Sequence, residues 1–278
     1  MYTHRQRRPA ITLVELLVVI AIILIITAIG VMAIPSAADR NMQSGADQLQ
    51  GWLLICKQRA KRDGVPTGLR IQFNANGQAT QLNYVQQPID VSGGTCTGVG
   101  NNTVTFAGFN PLTANVSPGD YLEVYRGGAV YQITAVTATS VTIANTGPNC
   151  LSATSNPAGT TSEYRIRRQP VPLSGEDTLQ LPDGVTVLLS KSLNIPARTV
   201  LGTTYYEIMF SPLGGLVGRG SGTDQICVLW LTNTNNTTIP ALLVAIQTHT
   251  GFIGVQPDAS AVSTDPYKFC RDGRASGL

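Results

Sequence analysis

The residues from Ile11 to Ile34, ITLVELLVVIAIILIITAIGVMAI, form an almost unbroken apolar run that carries one charge, Glu15. About twenty such residues make a helix long enough to cross a bilayer. Only a helix or a closed barrel satisfies its backbone groups there. A carboxylate inside such a segment costs about 2.5–3.5 kcal/mol on insertion, so Glu15 points to a function. The preceding leader, MYTHRQRRPA, holds Arg5, Arg7 and Arg8 and no acid. That charge holds the N-terminus on the cytoplasmic side. A secretory signal peptide has its small-residue cleavage site after the apolar run. Here the small residue, Ala10, stands before it.

The segment Ala10-Ile11-Thr12-Leu13-Val14-Glu15-Leu16-Leu17 resembles the class III signal of type IV prepilins and type II secretion pseudopilins. The resemblance implies that a prepilin peptidase cuts between Ala10 and Ile11 and methylates the new amine of Ile11. Two positions depart from the family pattern, which usually has Gly where Ala10 stands and Phe where Ile11 stands. Both replacements keep the small-then-apolar character of the cut site, so slower or unchanged processing is expected. Glu15 falls on the fifth mature residue, as the pattern requires.

The role of that glutamate also follows from electrostatics. In a bundle of such helices a buried carboxylate strongly favours a partner of opposite charge. The amine of a neighbouring subunit's Ile11 is such a partner, and cleavage creates it. Pairing would set the axial stagger, as a polar group sets register in a coiled-coil seam. A signal anchor whose Glu15 reaches the interface is the competing reading.

With 278 residues the chain is long enough for one large or two small domains. It is 43% hydrophobic and only 13% charged, a composition that suits an extracytoplasmic β-rich protein and not a disordered one. The formal net charge is +3, and loss of the arginine-bearing leader leaves the rest near neutral. A near-neutral body gives no support for strong nonspecific binding of a polyanion.

Beyond Pro35, the residues Ala38, Met42, Ala46, Leu49, Leu53, Cys56 and Ala60 recur at threes and fours, one apolar face of an amphipathic helix. Asp39, Arg40, Gln43, Asp47, Gln50, Lys57 and Lys61 occupy the opposite face. Lys61 and Arg62, then Gly64, then Pro66 form a stop signal. The expectation is a single helix of about fifty residues, membrane-embedded in its first half and packed on a head in its second. Thr67–Phe73 and Gln81–Val85 then alternate as paired strands around Asn74-Ala75-Asn76-Gly77.

The stretch Cys56 to Pro66, a basic helix end followed by Val-Pro and a strand, is similar to the H-type minor pseudopilins and related fimbrial minor pilins. Tyr205 to Gly215 looks like that family's strand and glycine turn. Ala241–Ile246 with Thr250–Val255 looks like its terminal hairpin. The resemblance covers the ends of the chain and not its middle. Roughly 88–162 reads as an insertion: a Gly/Thr/Asn-rich stretch from Ser92 to Thr103, then strands at Thr103–Phe106, Tyr121–Tyr125, Ala129–Val136 and Ser140–Ala144. Pro118-Gly119-Asp120 and Gly127-Gly128 mark the turns. A compact β-meander, or a small open barrel, is expected.

Of five cysteines, Cys96 and Cys150 flank this insertion, while Cys227 lies on a strand and Cys270 near the C-terminus. Outside the cytoplasm both pairs are disulfide candidates, although spacing alone does not set connectivity. Each closure would contribute roughly 3–4 kcal/mol. Cys56, on the apolar face, reads as a buried small hydrophobe.

The motifs of catalysis are absent: there is no CxxC, HExxH, GxSxG or phosphate loop. His4 lies in the leader and His249 in a hairpin turn. Asp258, Asp265 and Asp272 are carboxylates that could line a Ca²⁺ site, but their spacing of seven fits no EF-hand loop and they read as solvated loop carboxylates. Arg165-Ile166-Arg167-Arg168 is a basic strand end, suited to DNA phosphates or to a solvated face.

The expected fold is α+β. A leader (1–10) precedes a transmembrane and polymerisation helix (11–34), an amphipathic helix (35–64) and an antiparallel β head (65–278) carrying the insertion at 88–162. The expected function is that of a minor pseudopilin or pilin of a type II secretion system or type IV pilus, working without a cofactor, a metal or catalysis. The alternatives are a DNA-uptake or adhesive minor pilin and a membrane-anchored binding protein that never polymerises. Expected partners are the prepilin peptidase, other pilin subunits and the inner membrane, with nucleic acid or a secreted substrate as further candidates. The expected location is the inner membrane, with the N-terminus cytoplasmic and the head periplasmic, and then the filament.

Overall fold

The computed structural model describes residues 13–32, 37–99, 102–124, 130–144, 161–218, 225–261 and 263–273. Within them, helix α1 (Leu13–Met32) leads, and helix α2 (Ala37–Asp63) organises the head. Met42, Ala46, Leu49, Leu53, Cys56 and Ala60 are all buried, the face that the spacing of threes and fours requires. Asp39, Arg40, Gln43, Asp47 and Lys61 are exposed. Gln50 and Lys57 instead reach the head: Gln50 Nε2 donates to the Ile253 carbonyl at 3.2 Å, and Lys57 Nζ to those of Thr250 and Gly251 at 2.9 and 2.8 Å. The helix ends at Gly64, whose φ of 69° is readily reached without a Cβ. The single helix expected from sequence is described as two segments, and Pro35 lies outside the described residues.

Two antiparallel sheets enclose the apolar face of α2. The first has seven strands, ordered β10 (Val171–Pro172), β3 (Gln81–Gln86), β1 (Thr67–Gln72), β14 (Thr203–Phe210) and β13 (Ala197–Val200). β11 (Leu179–Gln180) adds to β3, and β15 (Leu216–Val217) to β14. The second sheet runs β18 (Ile253–Pro257), β17 (Leu242–Gln247), β16 (Ile226–Asn233), β12 (Val185–Leu188) and β2 (Gln78–Ala79). The expected pairing around the Asn74–Gly77 turn is present, from Thr67 opposite Gln86 to Gln72 opposite Gln81. The terminal hairpin is present as well, with Ile246 opposite Ile253.

Strand β16 is covered on both faces. Cys227, Leu229 and Leu231 point into the α2 core, while Ile226, Val228 and Trp230 meet Leu243, Ala245 and Cys270 in a second cluster. Alternation along a strand sends successive side chains to opposite faces. Cys227 and Cys270, the candidate bridge, are here both buried free thiols, on opposite faces of the second sheet. Cys96 is also a buried free thiol. Its candidate partner, Cys150, lies outside the described residues.

The insertion is a closed barrel, not a meander or an open barrel. Its strands run β4 (Val91–Val99), β5 (Thr103–Phe106), β8 (Ser140–Ile143), β7 (Val130–Val136), β6 (Tyr121–Val124) and β9 (Thr161–Arg167), with β9 returning to β4. β4 and β5 are neighbours in chain order, as are β6, β7 and β8, whereas β5 with β8, β6 with β9 and β9 with β4 join strands that are not consecutive. The barrel has its own core, including Val104, Phe106, Leu122, Ile133, Val141 and Ile166. The Gly/Thr/Asn-rich stretch, to which the sequence assigned no element, is strand β4 as far as Val99, and the expected end of the insertion near 162 falls inside β9. The chain leaves the first sheet after Gln86 and re-enters it at Val171, and these two residues are paired. The barrel thus replaces the tip of a hairpin and leaves the head's register intact.

The buried thiols yield a direct test. Burial pushes Cys227 up to about 12 and Cys96 and Cys270 up to about 11, and raises Cys56 further. At about pH 8 the thiolate fraction and access are both small, so the native protein should resist alkylation at all four. Unfolded without reductant, the same protein should take up label at Cys227 and Cys270, read by peptide mass spectrometry. Failure of those two to label would restore the bridge.

Candidate functional site

Two regions stand apart from the apolar core around α2. The first is α1. Its described side chains, Leu13 to Thr27, are all exposed, with Leu13 at 80% and Ile26 at 63%. A helix that is apolar all round belongs in a protein core or a membrane. Glu15 lies in its first turn. Over the described residues taken alone, no helix is long and apolar enough to cross a membrane, and the case for a span rests on the full run Ile11–Ile34. Ala10 and Ile11 lie outside the described residues.

The second region is where the barrel meets the head. Arg70 on β1 and Glu207 on β14 face each other in register. Arg70 donates to Glu207 Oε1 through Nε at 2.8 Å and Nη2 at 2.5 Å. Arg198 on β13 donates to Glu207 Oε2 through Nε at 3.3 Å and Nη2 at 3.1 Å. Glu207 is buried at 5% exposure, so two guanidinium groups hold one desolvated carboxylate. The Tyr205 ring packs against both, 4.5 Å from Arg70 Cζ and 5.8 Å from Arg198 Cζ.

The same arginines grip the segment that leaves the barrel. Arg70 Nη2 donates to the Pro170 carbonyl at 2.9 Å, and Arg198 Nη1 to Gln169 Oε1 at 2.8 Å. Gln169 in turn donates its backbone N–H to Asp120 Oδ1 at 2.8 Å and its side-chain amide to the Pro118 carbonyl at 3.2 Å. Asp120 is buried. Burial pushes its carboxyl up, against the N–H groups of Ser117 and Gln169 and the guanidinium groups of Arg168 and Arg198. Gly119 makes the approach close enough: with φ of 98°, a Cβ there would stand 2.0 Å from Gln169 Nε2 and 2.4 Å from Val200 Cγ1.

A cleft of about 660 Å³ opens at this junction, with Tyr121, Arg167 and Arg168 on the barrel side and Ile195, Arg198 and Met209 on the head side. A second cleft of about 500 Å³ adjoins it through Arg168 and includes Asp120 and Tyr205.

The basic run that sequence singled out is divided by strand geometry. Arg165 donates to Glu123 Oε2 through Nη2 at 2.6 Å, and Arg167 Nη2 lies 3.6 Å from the same oxygen. Glu123 is buried on the adjacent strand, opposite Arg165. Ile166 points into the barrel core, and Arg168 Nη1 donates to the Ala114 carbonyl at 3.1 Å. An open phosphate platform is not what these arginines form. Asp258 accepts from Ser260, and Asp265 from the Tyr267 N–H and from Arg271. Among the described residues no group of acids, histidines and cysteines is placed to hold a metal. Sequence reading missed Arg70, Glu207, Arg198 and Asp120, because their meeting depends on strands far apart in the chain.

Residues 5–31 match the prokaryotic N-terminal methylation motif. That match supports a type IV pilin-like subunit of a pilus or pseudopilus, cut and methylated by a prepilin peptidase and assembled with other pilin subunits. Proteins bearing this motif are structural in role. No curated protein matches the chain.

The Glu207 cluster predicts a large stability effect. Glu207→Gln keeps the shape but leaves Arg70 and Arg198 without a counter-charge. Removing one member of a buried ion pair costs about 3–5 kcal/mol. Urea denaturation of the detergent-solubilised chain should show that loss as a lower midpoint at unchanged slope.

Proposed function

We propose that the chain is a minor pilin or pseudopilin of the H type. In this reading the run Ile11–Ile34 holds it in the inner membrane as a single span until it is drawn into a filament. The N-terminus is cytoplasmic and the β head periplasmic. The observation that carries the reading is the methylation-motif match over 5–31, which falls on the apolar helix with the acid in its first turn. The work is mechanical. The helix supplies polymerisation, and the head, with its barrel, supplies position and recognition. Glu15 pairs with the methylated amine of a neighbouring subunit's Ile11, because a carboxylate in an apolar bundle is stable only beside a compensating charge.

The engagement of Arg165 and Arg167 by Glu123 weighs against a role in DNA capture through that strand. The near-neutral mature chain weighs the same way.

Processing is the first test. Mass spectrometry of protein purified from the envelope should show a first residue of N-methylated Ile11, and a chain that retains Arg5 to Arg8 would defeat the reading. The second test concerns the acid. Glu15→Gln should leave cleavage intact and reduce recovery in sheared filaments at least about tenfold, the equivalent of 1.4 kcal/mol or more. Normal incorporation of that variant would remove the pairing argument.

A further inference from the structure

We propose that the cleft between barrel and head binds an acidic side chain carried on an apolar peptide segment of a partner protein. The cleft has the size of a ligand site, about 660 Å³ against a usual range of about 300–1,000 Å³, and such sites favour the seam between two folded units. Its walls are largely apolar, with Tyr121, Ile195, Pro196, Met209 and Val217 among them.

Charge selects the ligand's polar group. Arg167, Arg168 and Arg198 line the cleft, and Glu207 is the one acid among the described lining residues. Glu207 is already held by Arg70 and Arg198. Arg198 is committed to Glu207 and Gln169. Arg167 is half-exposed and shares Glu123 with the closer Arg165. Arg168 bonds the Ala114 carbonyl through Nη1, while its Nε is buried with no hydrogen-bond partner among the described residues. A buried donor without an acceptor is costly, and the Arg168 guanidinium, where it lines the cleft, draws a carboxylate by charge.

The surroundings argue for a peptide and against a phosphate polymer. Apolar walls favour flanking aliphatic side chains and disfavour a strongly hydrated phosphodiester chain. On the other side of Arg168, the second cleft includes Asp120, so an anion is directed to the larger cleft. This inference does not depend on filament assembly. The Glu15→Gln chain should bind as the unaltered chain does.

The test uses the full chain in a non-ionic detergent and a fluorescent, end-blocked peptide Leu-Leu-Glu-Leu, followed by anisotropy. Saturable binding is expected below millimolar peptide, and the matched peptide with Gln for Glu should bind at least about tenfold more weakly. Arg168→Gln should weaken binding by a similar factor. Because that change also removes the Ala114 contact, Ala197→Glu is the second variant. Ala197 is exposed on the edge strand β13 and lines the cleft, so its replacement adds a competing carboxylate without disturbing the core. It should abolish binding with an unchanged thermal unfolding midpoint. Equal binding of the Glu and Gln peptides, no saturation at millimolar peptide, or unaltered binding by Ala197→Glu would overturn the proposal. So would a short DNA duplex or anionic phospholipid vesicles that bind the same cleft, displace the peptide and lose affinity in both variants.

Discussion

The head is held together by the burial of one helix face between two sheets. Met42, Ala46, Leu49, Leu53, Cys56 and Ala60 lie at the centre of a cluster that also takes Leu69, Ile208 and Phe210 from the first sheet and Val187, Leu229 and Val244 from the second. The inner faces of both sheets are covered by the one apolar face of α2. The hydrophobic term scales with the apolar area removed from water, and here that area is shared three ways. The helix entering this core continues the chain from α1, so the element that would sit in a membrane or a filament is joined directly to the element that orders the head.

The barrel is attached differently. Its own apolar core is separate from that of the head, and the seam is polar: Arg70, Glu207, Arg198, Gln169 and Asp120 form a connected set of hydrogen bonds. Buried polar networks of this type contribute orientation because each member accepts few geometries. An apolar seam would tolerate sliding. The network instead ties Pro118 and Pro170, on the two chain segments at the base of the barrel, to β13 and β14 of the head. The cleft follows from that attachment, since polar contacts concentrated at one edge leave the apolar residues beside them uncovered.

Several readings of the sequence failed for one reason. The stretch Ser92 to Thr103 is rich in Gly and Thr and has no apolar alternation of the usual strength, yet most of it is strand β4, because β5 and β9 pair with it from either side. Closure of the barrel supplies hydrogen-bond partners that local composition cannot announce. The same non-locality hid Glu207, which is separated from Arg70 in sequence but opposite it in register. The placement of Cys227 and Cys270 was equally hidden, since sequence distance says nothing about which face of β16 a thiol takes.

The sequence by itself determined the apolar helix with its acid, the buried face of α2, the stop at Gly64, the hairpin around Asn74–Gly77 and the terminal hairpin. Each is a local pattern, of period 3.6 or 2, closed by residues with restricted backbone freedom. Tertiary structure alone decided that the insertion closes into a barrel, that the basic strand is divided between Glu123 and the interior, and that two arginines and a glutamate form the seam. Those outcomes depend on which distant strands become neighbours, and strand neighbours are chosen by the global burial of apolar area, which no short window of sequence contains.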